Sequence, residues 1–394
     1  MPDTRGAKGA TARLAEAVPH NVREVCTRIS EAGFQAVAVG GAVRDVLLGK
    51  EPGDWDIATS AHPQEVLGLF RHTIPTGLQH GTVTVVTGKG AESHVEVTTY
   101  RGEGAYTDAR RPDSVVFGVP LADDLARRDL TVNAIAYDVA GDALFDPFGG
   151  VDDIDAKRLR AVGVAVDRFT EDGLRVMRAV RFAAQLDFEL DPETEAAIEP
   201  ALPSLAKVSR ERVSDELRKI LGSRQPSRGL VLAERTGILA TIAPGLAFDL
   251  VSPDRMAPEV RLAALVAPIG DRKRIGDALK GLKFSNAEAD LAAALGGAVS
   301  AIRTATDDPT LRRVLSGLGR PYANAMAKLE PRVERVLRDP LVLKELAVGG
   351  ADLMGHASGR ALGDLLARLL ERVLDDPKLN TREQLLEIAG APPS

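Results

Sequence analysis

Apolar residues in the first 165 positions follow two different periods, which predicts a mixture of strands and helices. Gln35–Val39 is a short apolar run of the kind found in buried strands. Gly81–Thr87 and His94–Tyr100 are rich in Val and Thr and flank a turn at Gly88–Gly90, so they predict a β-hairpin. Helical spacing predicts three helices among these strands, at Val22–Ala32, Ala42–Leu48 and Pro63–Phe70. The first part of the chain is therefore predicted to be α+β, with a small mixed sheet.

Beyond Arg168 the apolar spacing is helical almost throughout, with Pro- or Gly-containing turns between the segments. The clearest helical segments are Leu217–Leu221, Gly229–Ile242, Val260–Val266, Ile275–Leu282 and Leu362–Leu374. The first residues of the chain are small and polar without a clear period, and we expect them to form a loose arm. These changes predict four regions: a flexible N-terminal arm (1–20), an α+β head (21–165), a helical neck (166–225) and a helical body with a tail (226–394).

A glycine turn and two carboxylates follow the first predicted strand. Gly40 and Gly41 predict a turn whose backbone N–H groups can approach phosphates, and Arg44 falls on the first turn of the next predicted helix. Asp54 and Asp56 are two positions apart, so on one strand they would share a face and could hold divalent ions. Each piece alone is common, the glycines as an ordinary turn and the acids as a solvated strand end. Together they predict a site for metal-dependent nucleotidyl transfer.

A third acid, Glu96, lies on the second strand of the predicted hairpin, next to the strand of the carboxylate pair. It is a candidate catalytic residue and metal ligand. A cross-strand polar partner on a solvated face is an equally good interpretation of this position.

Charged and amide side chains are concentrated just before the apolar run Ala134–Tyr137. The guanidinium groups of Arg127 and Arg128 suit phosphate oxygens and ribose hydroxyls. Asp129 and Asn133 are four residues apart, so on a helix face they could hold one arginine in place. A surface lattice of ion pairs is the alternative for this segment.

A helix is predicted to begin near Thr170, with Thr170 as its N-cap and two acids in its first turn. Asp172 accepts hydrogen bonds and Arg175 donates them, so this pair could complement a base edge that presents an amino donor beside a ring-nitrogen acceptor. Cytosine and adenine both present that edge. Uracil and guanine present a carbonyl and an N–H instead, which would leave both protein groups unpaired. A capped surface helix with internal ion pairs is the alternative.

The composition says more about the cellular location of the protein than about the reaction that it catalyses. The chain has 394 residues, 44% of them hydrophobic, and a net charge of −6, so its overall charge gives no case for nucleic-acid binding. Cys26 is its one cysteine, which excludes an internal disulfide and fits a reducing cytoplasm. Long uncharged apolar runs are absent from the sequence, so we expect a cytoplasmic location and no membrane partner.

The glycine turn and the carboxylate pair resemble the signature of the polymerase-beta-like nucleotidyltransferases of the class II tRNA nucleotidyltransferase and bacterial poly(A) polymerase family. The stretch Arg127–Ala134 is similar to that family's R-R-D-x-x-x-N-A motif, and Thr170–Phe182 to its E-D-x-x-R motif. Ser209–Arg212 resembles the family's last motif, which mainly braces the neck, and we interpret it as structural. The specific motifs extend from about Phe34 to Leu221. The resemblance implies a polymerase-beta-like head followed by an all-α neck, body and tail.

The resemblance also implies substrates and residue roles. It implies two Mg²⁺ ions on Asp54 and Asp56, with CTP and ATP as substrates and the 3′ end of a tRNA as partner. The glycine turn and Arg44 would then cradle the triphosphate. Arg178 and Arg181 are carried over as triphosphate or base contacts.

Ribose recognition is associated with the R-R-D motif in this family, which implies a choice of NTP over dNTP. We expect Arg128 to be the nearer ribose contact and Arg127 the second. The stretch Tyr100–Pro112 resembles the flexible loop of CCA-adding members, which takes part in the switch from adding C to adding A. On its residues alone, this stretch is a solvated connector.

Template-independent addition of CCA to tRNA is therefore the function that the resemblance implies, with release of pyrophosphate. Three alternatives stay open. A partial enzyme would add only CC or only A, a poly(A) polymerase would add many A residues, and a non-catalytic RNA-binding module would keep the fold without the reaction. The sequence leaves the oligomeric state open, and also the choice between Mg²⁺ and Mn²⁺.

Overall fold

A computed structural model describes residues 4–90, 93–103 and 115–390 of the chain. Two compact units are present: Met1–Ile220 with Arg228–Ile242, and Leu221–Ser227 with Ala243–Ser394. The first unit holds the predicted head and most of the predicted neck, together with a short segment of the predicted body. Within the described ranges, none of the helices is long and apolar enough to cross a membrane.

The strands lie almost entirely in the first half of the first unit. Their bounds are β1 Ala36–Val39, β2 Asp56–Thr59, β3 Thr73–Gly77, β4 Thr82–Val86, β5 His94–Thr99, β6 Arg101–Glu103, β7 Val115–Phe117, β8 Ala136–Asp138, β9 Ala143–Phe145, β10 Arg158–Leu159 and β11 Glu189–Leu190. The predicted α+β class is confirmed. The predicted hairpin is β4 paired with β5.

Seven strands form one mixed sheet in the order β3-β4-β5-β2-β1-β8-β9. Only β2 and β5 run parallel as neighbours among the described strands of this sheet. All four residues of β1 are buried, as the apolar run predicted. On β5, His94 and Glu96 are exposed whereas Val95 and Val97 are buried, so one face of the sheet is left open to solvent. This open face carries the catalytic candidates.

The helices of the first unit precede, interrupt and follow the sheet. Their bounds are α1 Thr4–Ala17, α2 His20–Glu31, α3 Gly41–Leu47, α4 Pro63–Leu69, α5 Leu121–Ala126, α6 Gly150–Asp155, α7 Ala165–Glu171, α8 Leu174–Leu186, α9 Pro192–Ala196, α10 Ile198–Leu205, α11 Arg210–Leu221, α12 Pro226–Arg235 and α13 Ile238–Ile242. Helices α2, α3 and α4 pack against strands of the sheet. The three helices predicted among the strands are confirmed.

Two expectations about irregular segments need correction. The loose N-terminal arm is wrong for residues 4–17, which form α1 and pack against α3. Ala10, Leu14 and Val18 are buried at intervals of four, a helical spacing that their small or isolated side chains made hard to see. The loop predicted from Tyr100 to Pro112 begins as strand β6, which pairs with β7. Its remaining residues, 104–112, lie outside the described residues.

The second unit is helical. Its helices are α14 Arg261–Val266, α15 Arg272–Gly281, α16 Asn286–Thr304, α17 Asp308–Leu318, α18 Arg320–Leu329, α19 Gly359–Asp375 and α20 Arg382–Gly390. Helix α16 begins at a capping box between Ser285 and Glu288 and packs against α14, α15, α17 and α18. A smaller apolar cluster at the end of the chain joins α19 to α20 through Leu369 and Leu385.

Gly173 separates α7 from α8 at a point where the chain crosses α10. A Cβ atom at this position would lie 2.3 Å from the backbone nitrogen of Leu205 and 2.3 Å from the carbonyl carbon of Ser204. Backbone atoms cannot move aside as a flexible side chain can. The close approach of these two segments therefore requires glycine.

We expect Gly173→Ala to lower the free energy of unfolding by about 3 kcal/mol, because the added methyl group overlaps backbone atoms. Gly68→Ala is the matched control, since it lies in α4 with nothing within 4 Å of the added Cβ. Gly68→Ala should raise the free energy of unfolding, by less than about 1 kcal/mol. Urea unfolding of the wild type and both variants measures the difference. Equal stability of the two variants would contradict the close packing at Gly173.

Candidate active site

An open cleft with a volume of about 1160 Å³ lies over the exposed face of the sheet, entirely within the first unit. Its walls come from α3, β2, β5, the segment after α5, and helices α8 and α11. Most of the residues predicted from the sequence line it, namely Gly40, Gly41, Arg44, Asp56, Glu96, Arg127, Arg128, Asp129, Asn133, Asp172, Arg175, Arg178 and Arg181. Motifs from distant parts of the chain therefore meet in one cleft.

The acidic candidates lie on two neighbouring strands at the floor of the cleft. Asp56 begins β2 and is the direct partner of Glu96 on the parallel strand β5. Asp54 lies in a bend before β2, so the predicted strand does not extend to it, whereas Asp54 and Asp56 are both exposed on either side of the buried Trp55. Asp54 also does not line the cleft among the described residues. The acids predicted from the sequence thus lie near one another, with Asp54 slightly apart from Asp56 and Glu96.

Negative charge accumulates at Asp56. The pKa of Asp56 is raised, first because the walls of the cleft partly shield its carboxyl from water and then because Glu96 lies beside it, while Arg128 acts in the opposite direction. The charge of Asp54 raises the pKa further. Within the described part of the chain, no three His, Cys, Asp or Glu side chains converge closely enough to hold a metal ion by themselves.

The glycine turn brings a guanidinium group close to the backbone. Gly40 has a φ of 77° and precedes α3, and a Cβ atom there would lie 3.1 Å from Nη1 of Arg128. A side chain at this position would thus be strained in the backbone and crowded by the arginine. The turn lets Arg128 lie directly against the start of α3.

A chain of hydrogen bonds connects α3 to α8 through the R-R-D segment. Arg44 Nη1 donates to Asn133 Oδ1 at 2.5 Å, and Asn133 Nδ2 donates to Asp129 Oδ1 at 3.1 Å. Asp129 Oδ2 accepts from Arg178 Nε at 2.6 Å. The pKa of Asp129 is lowered, because its contacts with Arg178 and Asn133 outweigh the effect of burial. These four side chains form one network, which we call the Asp129 network.

The Asp129 network corrects the sequence reasoning about Asp129 and Asn133. The two residues do not share a helix face, since α5 ends at Ala126 and a separate 3₁₀ turn spans Thr131–Asn133. They are in contact all the same. They hold two different arginines, Arg44 and Arg178, where the sequence predicted one.

Asp124 orients the two arginines of the R-R-D segment. It is 1% exposed and accepts from Arg127 Nη2 at 2.8 Å and from Arg128 Nη2 at 3.4 Å. Burial acts to raise the pKa of Asp124, but the two arginines outweigh it and hold this pKa below its ordinary value. Both guanidinium groups are thus fixed at the cleft from behind by one buried carboxylate.

The E-D-x-x-R segment is a break between two helices and not the start of one. Thr170 lies in the last turn of α7, where its hydroxyl donates to the carbonyl of Val166 at 2.7 Å, so the predicted Thr170 N-cap is wrong. Asp172 follows α7 and accepts from the backbone N–H of Leu174 at 3.0 Å. Asp172 thereby caps an N–H group in the first turn of α8, because the backbone is extended at Asp172 itself, between the two helices.

Asp172 and Arg175 are held by different partners. Arg212 on α11 donates to both oxygens of Asp172, at 2.7 Å to Oδ2 and 3.3 Å to Oδ1. Arg175 donates to Glu171 Oε2 at 2.6 Å and to the carbonyl of Arg127 at 3.0 Å. The acceptor and the donor predicted to recognise a base are therefore both fixed in position at the wall of the cleft.

Arg181 is the most enclosed of the predicted nucleotide contacts on α8. It is 6% exposed, and its Nη1 donates to Glu216 Oε1 at 3.1 Å. Its Nε is buried and has no hydrogen-bond partner among the described residues. Arg181 lines the cleft but is held mainly by α11.

Sequence reasoning missed the acids and the arginine that hold the predicted residues. Asp124 lies three residues before the R-R-D motif and was given no role, and Arg212 was interpreted as structural although it contacts Asp172 and lines the cleft. A usable signal existed at Asp124, because an acid with arginines at i+3 and i+4 is typical of a helical ion-pair network. The partnership of Arg212 with Asp172 spans forty positions and has no periodic signal.

Matches to two protein families show the class of protein to which the head belongs. The Poly A polymerase head domain family matches residues 36–160, and a family described as the probable RNA and SrmB- binding site of polymerase A matches residues 187–250. The first of these ranges contains the sheet, the glycine turn and the carboxylates. The chain thus carries the head of a poly(A)-polymerase-type nucleotidyltransferase.

Curated relatives and a solved structure define the family within this class. The chain is 38% identical to a CCA-adding enzyme of Limosilactobacillus reuteri, covering 93% of this chain and 94% of the relative. It is 50% identical to a CCA-adding enzyme of Lactococcus lactis, where the match spans 52% of the relative. The crystal structure of the Bacillus stearothermophilus CCA-adding enzyme in complex with CTP is similar with a TM-score of 0.74 and 34% identity, covering 93% of this chain and 96% of that one.

The chain spans about half the length of the first curated relatives that it matches, and nearly the whole of others. The longer match, together with the fold and the cleft, shows that the chain belongs to the CCA-adding enzyme family of nucleotidyltransferases.

Proposed function

We propose that this protein adds C, C and A in sequence to the 3′ end of tRNA, using CTP and ATP and releasing pyrophosphate. The observation that carries the proposal is that one cleft gathers the acids, the arginines and the base-reading candidates. Its relatives bear the name of this activity, and one of them was solved with CTP. We propose that the reaction takes place in the cytoplasm, because a sequence with a single cysteine fits a reducing compartment.

Asp54 and Asp56 are proposed as the Mg²⁺ ligands, with Glu96 as a third acid. The donor set fits, because carboxylate oxygens are the ligands that Mg²⁺ prefers and substrate phosphates normally complete its coordination. Two bound ions would activate the 3′-hydroxyl of the tRNA and stabilise the departing pyrophosphate. The pairing of Asp56 with Glu96 across β2 and β5 supports this proposal, because it brings two acids together at the floor of the cleft.

The triphosphate and ribose are proposed to bind along the opposite wall. Gly41 and Arg44 at the start of α3 would contact the phosphates, together with Arg178. Arg128, with Arg127 beside it, would contact the ribose. These groups are held by Asp124 and by the Asp129 network, so they would meet the substrate in a fixed arrangement.

Asp172 and Arg175 are proposed to select the base. Oδ2 of Asp172 accepts one hydrogen bond from Arg212, and a second lone pair on this oxygen suits the amino group of cytosine or adenine. Arg175 would donate to the ring nitrogen beside it. Uracil and guanine offer a carbonyl and an N–H at these places, so both contacts would be lost. The pair thus provides selection without a nucleic-acid template.

We expect one discrete product, three nucleotides longer than the substrate, when the protein acts on tRNA lacking its 3′ end in the presence of CTP, ATP and Mg²⁺. Sequencing of the product 3′ end is the measurement. A ladder of A residues would identify a poly(A) polymerase, and a stop after two C residues a CC-adding enzyme. Action only on tRNA that already ends in CC would identify an A-adding enzyme. Binding of RNA without incorporation of nucleotides would identify a non-catalytic RNA-binding module.

We expect Asp54→Ala and Asp56→Ala each to lower nucleotide incorporation by about a hundredfold or more, because each removes a proposed ligand of the reacting metal ions. The affinity for tRNA should stay within about threefold, since neither side chain contributes to the core. Glu51→Ala, an exposed acid on the same loop, is the control and should retain full activity. Activity above a few per cent in either aspartate variant would refute its role.

We expect Asp172→Ala to reduce discrimination against UTP and GTP by about tenfold to a hundredfold, because it removes one partner of the base edge. Competition among all four NTPs measures this ratio. Asp167→Ala, which removes an exposed acid from α7, should leave the ratio unchanged. An unchanged ratio in Asp172→Ala itself would mean that this residue only caps α8 and pairs with Arg212.

A further inference from the structure

Three guanidinium groups surround one aromatic ring in the wall of the cleft. The Cζ atom of Arg181 lies 4.2 Å from the centroid of the Phe182 ring, that of Arg44 5.1 Å and that of Arg178 5.5 Å. Phe182 is 6% exposed and lines the cleft. The negative faces of an aromatic ring attract cations within this range.

The three arginines converge from two helices. Arg178 and Arg181 precede Phe182 on α8, whereas Arg44 comes from α3. Each is held at its other side by a polar partner: Asn133 and Asp45 for Arg44, Asp129 for Arg178, and Glu216 for Arg181. Each guanidinium group is thus fixed between a polar partner and the same ring.

Exposure distinguishes the three groups. The side chain of Arg178 is 34% exposed, compared with 10% for Arg44 and 8% for Arg181. Like charges this close together repel, and the ring and the acids offset that repulsion. Arg178 therefore faces the cleft, with Arg44 and Arg181 behind it adding positive potential.

We propose that Phe182 is a positioning residue for the nucleotide triphosphate: its ring holds Arg44, Arg178 and Arg181 together as one phosphate-binding group. The inference rests on the proposed function, because it assigns this wall of the cleft to the triphosphate. Phe182 acts through the arginines and not on the base. Replacement of Phe182 should therefore weaken the binding of all nucleotides equally, without changing which base is selected.

Phe182→Leu keeps an apolar side chain but removes the aromatic ring. We expect the KM for CTP and the KM for ATP each to rise about tenfold, with kcat changed by less than about threefold. The inhibition constant of pyrophosphate, which has no base or ribose, should rise by the same factor. The ratio of CTP and ATP use to UTP and GTP use should stay unchanged. Phe182→Tyr, which keeps the ring, should restore the KM to within about threefold of the wild type.

Phe188→Leu is the matched control for loss of packing. Phe188 is 2% exposed just beyond α8, and no described guanidinium group stacks on its ring. It should lower the unfolding temperature without moving the KM or the inhibition by pyrophosphate. If Phe182→Leu behaved in the same way, the inference would be overturned.

Equilibrium binding of CTP separates this inference from the proposed function. If the wild type binds CTP and Phe182→Leu binds it about tenfold more weakly, the inference is supported even where Phe182→Leu is too unstable for steady-state kinetics. Equal affinities of the two proteins would overturn the role of Phe182 alone. Failure of the wild type to bind CTP would overturn the proposed function, and the inference with it.

Discussion

The buried carboxylate of Asp129 is the constraint on which the cleft depends. A charge removed from water is tolerated only when charged or polar partners surround it, and Asp129 finds them in Arg178 and Asn133. Through Asn133 the constraint reaches Arg44, so α3, the R-R-D segment and α8 must come together before any of these groups is satisfied. The requirement for mutual neutralisation fixes the position of helix α8 of the neck relative to the head. The same interaction therefore stabilises the fold of the first unit and arranges the wall of the cleft.

Much of the fold was predictable because its signals are local. The apolar run at β1, the alternation at β5 and the helical spacing of α2 each depend on neighbouring residues, and all three elements lie within a residue or two of their predicted bounds. Helix α1 was missed since Ala10 and Leu14 contribute few apolar atoms among small residues, and tertiary packing decides their structure. The break at Gly173 was missed for a similar reason. Nothing in the adjacent sequence indicates that α10 will pass within contact distance of that glycine.

The candidate site was predictable as a set of residues but not as a set of contacts. Motif spacing identified Asp56, Arg128 and Asp172, and the structure brings them to one cleft. Their partners were harder to predict, since Asp172 pairs with Arg212 and Asp129 with Arg178 across forty or more positions. Such pairings depend on how helices pack, and they leave no period in the sequence. The spacing of Asp129 and Asn133 also suggested that they share one face of a helix. The chain forms a 3₁₀ turn there instead, and the two side chains are nevertheless in contact, as an i, i+4 pair on a helix would be.

The break between α7 and α8 has a consequence for the position of Asp172. A continuous helix would use the N–H groups around Leu174 for its own ladder, whereas the break leaves one of them to hold Asp172. The backbone contact with α10 leaves no room for the break to shift. The carboxylate of Asp172 is therefore held by a main-chain N–H group as well as by Arg212. Under the proposed function, in which the base is selected without a template, Gly173 would therefore contribute to selection although it would contact no nucleotide.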